Sequence, residues 1–283
     1  MDTTKTVGHI GLCAGYGGIE LGLRRAIPNL RTIALCEIEA FAISNLVAKM
    51  EAGLMDPAPI WPNLKTFPWG AFRDRVDILT GGYPCQPFSA AGQRKGKQDP
   101  RHLWPWIADG IRLLRPRICF FENVEGHISL GLSDVIEDLA GMGYRTTWGI
   151  FSASEVGAPH QRKRVFILAY RIGAGLEGLP WIVDVRGGGK KSGGSAGQKG
   201  VCGGVWPSGP GADRAVWEPP RVVVPSEPAL VRDLDGASGG LDYAQLSVAY
   251  DNRTDELRLL GNGVVPHTAE LAFRVLIQEL ANE

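Results

Sequence analysis

Over the first 170 residues, short apolar runs alternate with longer helical patterns, and this rhythm most narrows what the chain can fold into. Val7 to Cys13, Thr32 to Cys36, Val76 to Thr80, Ile118 to Phe121 and Val165 to Ala169 each read as a short buried strand. Between them, Leu103, Ile107, Ile111 and Leu114 fall on one face of a helix, as do Val135, Ile136 and Leu139 in another. Buried strands separated by amphipathic helices predict an α/β fold, a Rossmann-like parallel sheet covered by helices on both faces. Ligands of such sheets bind outside the carboxyl ends of the strands, where the strand order reverses. The chemistry is therefore to be sought in the residues that follow each strand.

The rest of the chain reads differently. From about Arg171 to Tyr250 the composition shifts to Gly, Pro, Trp and Val with little periodicity, including a low-complexity run from Gly187 to Gly204. A turn at Gly261-Asn262-Gly263 then leads into a closing helix with Leu271, Ala272, Val275, Leu276 and Leu280 inward. The predicted organisation is a catalytic, cofactor-binding domain over residues 1–170 and 255–283. A small loop-rich domain over residues 171–254 is inserted into it, with a flexible Gly-rich stretch at 187–204. The 283 residues suffice for such a pair, and 44% hydrophobic with 21% charged residues is ordinary for a globular chain.

No apolar stretch reaches the ~18 residues of a membrane span, and no basic start leads into the apolar core of a signal peptide. The expectation is a cytoplasmic protein with no membrane partner. The five cysteines, Cys13, Cys36, Cys85, Cys119 and Cys202, contain no C-x-x-C pair, which argues against a disulfide framework or a zinc site and predicts reduced thiols and no metal. Formal net charge is zero, so the whole chain announces no nucleic-acid partner. Local clusters exist at Arg94, Lys95 and Lys97, at Arg162, Lys163 and Arg164, and at Lys190 and Lys191. Each alone reads as solvated surface, but together they flank one candidate site.

Four strand ends and the approach to a fifth strand carry the candidate chemistry. The first runs into Ala14-Gly15-Tyr16-Gly17-Gly18-Ile19-Glu20, a glycine turn opening a helix, where backbone amides suit an adenosine-bearing cofactor. Glu20 stands where a G-x-G-x-x-G motif needs its third glycine, which weakens NAD or FAD and leaves S-adenosylmethionine. The second strand ends in Cys36-Glu37, about 20 residues after the glycines, the usual offset of an acid that holds ribose hydroxyls. The third candidate strand runs into Gly81-Gly82-Tyr83-Pro84-Cys85-Gln86-Pro87-Phe88-Ser89, a thiol between two prolines at a sheet edge. A lone cysteine after a strand is most often an inert core residue, and glycines there can be making only a turn. Glu122, following two phenylalanines at the end of the fourth strand, is a costly carboxylate unless it has a partner. Arg162 and Arg164, just before the fifth, read as sharing one side of that strand.

These ordered motifs resemble those of the DNA (cytosine-5-)-methyltransferases. The resemblance rests on Ala14 to Gly18, Pro84-Cys85-Gln86, Glu122-Asn123-Val124, Gln161-Arg162-Lys163-Arg164 and Gly261-Asn262-Gly263-Val264, spread over Ile10 to about Ala169 and Leu257 to Ala272. It implies the sheet of the S-adenosylmethionine-dependent methyltransferases, with the inserted domain as a target-recognition domain. It also implies methyl transfer from S-adenosylmethionine, leaving S-adenosylhomocysteine, to carbon 5 of a cytosine flipped out of double-stranded DNA. In that chemistry the Cys85 thiolate adds to carbon 6, Glu122 bonds the ring nitrogen and amino group, Arg164 holds the carbonyl edge and Arg162 supports the pocket.

Cofactor contacts carry over to Cys13, Gly15, Gly17, Gly18, Glu37, Ile38, Asn63, Leu64, Pro84, Leu103, Asn262 and Val264. The chain departs from the family's common pattern at Cys13, usually phenylalanine, at Gly11 and Asn63, usually aspartate, and at Ile38, usually aromatic. A cognate restriction endonuclease is a candidate partner and a monomer is expected. The rival readings are an RNA (tRNA) cytosine-5 methyltransferase and a catalytically inactive DNA-binding regulator.

Overall fold

The computed structural model describes residues 6–84, 103–174, 259 and 261–282. Cys85, the Arg94, Lys95 and Lys97 cluster, and nearly all of the predicted inserted domain with its 187–204 stretch lie outside the described residues.

The described chain builds one seven-stranded sheet in the order β3-β2-β1-β4-β5-β7-β6. Its strands are β1 (Val7–Leu12), β2 (Leu30–Cys36), β3 (Ile60–Trp61), β4 (Ile78–Gly81), β5 (Ile118–Val124), β6 (Tyr144–Phe151) and β7 (Arg164–Arg171). The helices are α1 (Gly18–Ala26), α2 (Ala40–Glu51), α3 (Trp104–Leu114), α4 (His127–Leu130), α5 (Leu132–Gly141) and α6 (Pro266–Asn282). All five predicted strands are present, within a few residues of their expected limits.

The expected all-parallel sheet needs correction. β1 to β5 pair in parallel, but β7 runs antiparallel to both β5 and β6. The physical reason is the connection. A parallel neighbour requires a crossover that carries the chain back across the sheet, normally a helix, whereas the residues between β6 and β7 hold only a single 3-10 turn, Ala153–Val156. That turn is closed by a capping box between Ser152 and Glu155.

Strand alternation divides the core between two faces. In β5, Ile118 and Phe120 join Phe166 and Leu168 of β7 against Ile19 and Leu23 of α1 and Phe273, Leu276 and Ile277 of α6. Cys119 and Phe121 point the other way, toward Ile107 and Ile111 of α3 and Val135 and Leu139 of α5. The closing helix therefore returns to the first part of the chain, as its apolar pattern predicts. Its close approach to α1 needs Gly22, where a Cβ would stand 2.9 Å from the Cβ of Ala269. Among the described residues, no helix is long and apolar enough to cross a membrane.

A buried polar chain crosses the sheet beneath the first glycine turn. His9 Nδ1 lies 3.1 Å from Thr32 Oγ1 and His9 Nε2 lies 2.9 Å from Thr80 Oγ1, which in turn sits 3.5 Å from Glu20 Oε1. A Cβ at Gly11 would overlap Glu20 Oε1, so the missing side chain at Gly11 is what admits the Glu20 carboxyl. Burial, outweighing the opposing hydrogen bonds and the Lys49 charge, raises the Glu20 pKa from the ordinary 4.5 to about 7.

Because the folded pKa exceeds the unfolded one, the native state holds a proton that the unfolded chain has lost between those values. Stability therefore falls as pH rises toward 7, and the whole cost is present above it. Glu20→Gln is expected to be the more stable protein at pH 8.5, by roughly 2–3 kcal/mol, with the gap closing below about pH 4.5. Denaturant unfolding at the two pH values checks this, and a pH-independent difference would contradict it.

Candidate active site

At the carboxyl ends of β1, β2, β4 and β5 the structure opens a cavity of about 770 Å³. This is the region where the strand order reverses, with β2 and β4 on opposite sides of β1. Of the residues expected to contact a cofactor, Cys13, Gly15, Glu37, Ile38, Asn63, Leu64, Pro84, Leu103 and Asn262 line it. Glu122 and Arg164 line the same cavity.

The glycine turn is built by backbone conformations that side chains disfavour. Gly15 and Gly17 adopt φ of 55° and 88°, and Gly17 caps α1. Gly17 and Gly18 stand behind the wall and shape it from there, as does Val264. A Cβ at Gly18 would overlap the Val264 carbonyl, so this glycine permits the return segment before α6 to lie against α1.

Glu37 is held rigidly at the rim. Its Oε2 accepts from Gly15 N at 2.7 Å, and its Oε1 accepts from Ile38 N at 2.8 Å and Glu39 N at 2.9 Å. The carboxylate thus locks the turn after β2 to the turn after β1, and its remaining lone pairs can accept from a ligand's hydroxyls. Asn63 accepts from Lys65 N at 3.0 Å and so caps a short 3-10 helix, Leu64–Thr66. Ile38 is 71% exposed on this rim, and Phe41 of α2 also lines the cavity. Phe41 escaped the sequence reading, although its place in the first turn of a helix following Glu37 was a usable signal.

Glu122 is 5% exposed, and its Oε1 pairs with Arg164 Nε at 2.8 Å. Burial raises its pKa from 4.5 to about 7, with Arg164 and then Arg162 pulling the other way. A Cβ at Gly82 would sit 3.2 Å from Glu122 Oε2, so the second glycine of the Gly81-Gly82 pair leaves room for the carboxyl. Asn123, also missed as a site residue, donates from Nδ2 to the Tyr83 carbonyl at 3.1 Å. It ties the end of β5 to the backbone just before Pro84.

The two arginines do not share a strand face as expected. Arg164 is the first residue of β7, but Arg162 precedes the strand in a left-handed conformation, φ 34°. The guanidinium of Arg162 donates to Gly261 O at 2.9 Å and to Gly263 O, both residues of the cavity lining. The described thiols are poor nucleophiles. Burial pushes those of Cys13 and Cys119 far up and that of Cys36 up to about 12, the neighbouring Glu37 charge adding to the shift at Cys13 and Cys36.

One cavity thus joins a hydroxyl-accepting carboxylate to a buried carboxyl that can hold a proton near neutrality, beside a guanidinium. The family model for C-5 cytosine-specific DNA methylases matches residues 8–184. The chain belongs to this family.

Among curated members, the Type II methyltransferase M.NgoMIV of Neisseria gonorrhoeae is 35% identical over 167 residues, covering 56% of this chain and 50% of that protein. The orphan methyltransferase M.Rho11sI of Bacillus phage rho11s is 31% identical over 182 residues, covering 61% and 34%. The chain spans half or less of the length of these relatives. Among solved structures, the S. pombe Dnmt2 methyltransferase superposes with a TM-score of 0.65 at 17% identity over 97% of this chain and 99% of that one. That likeness establishes the Rossmann-like methyltransferase fold.

Proposed function

We propose that this C-5 cytosine methylase transfers a methyl group from S-adenosylmethionine to carbon 5 of a flipped-out cytosine in a specific DNA sequence, through a covalent Cys85 adduct. The observation that carries the reading is that Glu122 and Arg164 open onto the same cavity as Glu37. A base held by the first pair therefore meets a ligand held by the third residue without a separating wall.

The cavity suits S-adenosylmethionine on its own chemistry. Its volume is in the range of nucleoside-sized sites, Glu37 presents an ordered carboxylate to ribose hydroxyls, and Ile38, Phe41, Leu64 and Leu103 offer apolar surface to a purine. When bound, the cofactor supplies an electrophilic methyl group. The protein's task is to make carbon 5 nucleophilic. Addition of the Cys85 thiolate to carbon 6 pushes electron density toward carbon 5 and the ring nitrogen. A protonated Glu122 hydrogen-bonds that nitrogen as charge develops there, and its pKa near neutrality suits the transfer. Arg164, fixed by its ion pair with Glu122, can at the same time donate to the base carbonyl. Loss of the carbon 5 proton and departure of the thiolate then restore the ring.

Mass spectrometry of nucleosides from a methylation-deficient host, with and without this chain, tests the reading. New 5-methyldeoxycytidine that is absent with Cys85→Ser is the expected result. New 5-methylcytidine confined to RNA, or no new methylated cytosine, would overturn the DNA substrate.

A further inference from the structure

Tyr16 belongs to the first glycine turn but does not line the cavity, and its ring is 2% exposed. Its hydroxyl donates to the Val264 carbonyl across 248 residues of sequence. The ring fills the space that a side chain at Gly263 would need, since a Cβ there would overlap it. On the other side Lys49, itself buried, donates from Nζ to the Tyr16 carbonyl at 2.6 Å and to Asn45 Oδ1 at 2.7 Å. Its ammonium lies 5.1 Å from the Tyr16 ring centroid. Tyr16 is therefore immobilised from α2 and in turn grips residues 263 and 264.

Arg162 grips the same segment through the carbonyls of Gly261 and Gly263. Gly261, Asn262 and Gly263 line the cavity, whereas Arg162 does not. The segment therefore borders the cavity and also accepts hydrogen bonds from a guanidinium whose charge acts on Glu122.

We propose that Tyr16 is a positioning residue that turns residues 261–264 into a shared wall, through which occupancy of the cofactor cavity restrains Arg162 beside Glu122. This rests on the functional reading above and adds its regulation: the cofactor and the target base favour each other's binding. A ligand that orders the wall on one face has already met the ordering cost for the group bound on the other, and such coupling is reciprocal. Without the Tyr16 hydroxyl, the wall can yield to the ligand without moving Arg162.

The test reads Arg162 directly, in the intact chain and without nucleic acid. Phenylglyoxal modification of its guanidinium is followed by peptide mass spectrometry with and without S-adenosylhomocysteine, using half-exposed Arg112 as internal reference. In the wild type, saturating S-adenosylhomocysteine is expected to slow modification of Arg162 about tenfold. Direct shielding is not the source, because Arg162 is not on the cavity wall.

In Tyr16→Phe, which keeps the ring and loses the bond to Val264, protection is expected to fall below about twofold at saturation. Gly263→Ala, whose methyl displaces the Tyr16 ring, gives the same loss by an independent route and carries the test alone where Tyr16→Phe does not fold. No protection in the wild type, or full protection in a folded variant, overturns the inference. Protection in the wild type without methylation of DNA or RNA would instead sink the functional reading and leave the coupling standing.

Discussion

Methyl transfer is expected to fall by at least about 10⁴-fold in Cys85→Ser, with DNA affinity within a few-fold of wild type. An ordinary thiol is a few per cent thiolate at neutral pH, whereas a serine hydroxyl is essentially un-ionised and a far weaker nucleophile toward carbon 6. No other described thiol can substitute, since burial holds Cys13, Cys36 and Cys119 in the protonated form. In the proposed function, DNA binding depends instead on phosphate contacts and on a recognition surface, which the substitution leaves intact. Incorporation of labelled methyl groups and a parallel band-shift titration provide the two readouts. Turnover within tenfold of wild type would remove Cys85 from the mechanism.

The second large effect is expected at Arg164. Arg164→Met takes away the partner of a buried carboxyl and, in the proposed mechanism, the donor to the base carbonyl, and kcat/KM should drop by about 10²–10³-fold. The pH dependence separates this from a general packing defect. In the proposed mechanism protonated Glu122 is the active form, so the limb it contributes to kcat/KM is expected to fall as pH rises through its pKa of about 7. Arg164 is the largest influence pulling that pKa down, so its removal moves the limb to higher pH. The same logic governs stability. Ionising a carboxyl whose folded pKa is raised costs stability above that pKa, and the cost grows when the compensating cation is gone. Arg164→Met should therefore lose about 3 kcal/mol at pH 8.5 and distinctly less at pH 5. A limb displaced to lower pH would show that Arg164 acts on Glu122 in the opposite sense to the one deduced.

Much of this site was legible because its residues occupy strand ends. Glu37, Glu122 and the Gly81-Gly82 pair each follow an apolar run, and in a doubly wound sheet that position alone directs a residue to the ligand edge. β6 escaped notice because, as an edge strand with Trp148 and Ile150 exposed, it lacks the continuous apolar run of the inner strands. The antiparallel return of β7 was not legible either, since a strand's own residues do not record the direction of its neighbours. Arg162 and Arg164 looked equivalent at a spacing of two. The left-handed turn at Arg162 broke that alternation and sent its guanidinium to the 261–263 carbonyls.

By itself the sequence determined the fold class, the two sheet faces, the family and several of the polar groups on the cavity wall, Glu37, Asn63, Glu122 and Arg164 among them. These follow from local periodicity and from motifs whose residues are neighbours in the chain. Only the tertiary structure decided which groups meet: Glu20 with the space left at Gly11, Glu122 with Arg164, and Tyr16 and Arg162 with the carbonyls of the 261–264 segment. Except for Glu20 and Gly11, which face each other from a strand and the next helix, those partnerships span tens to hundreds of residues. They depend on strand order, on close backbone approach and on the low dielectric of the interior, which shift a carboxyl's pKa by amounts that residue type alone does not contain.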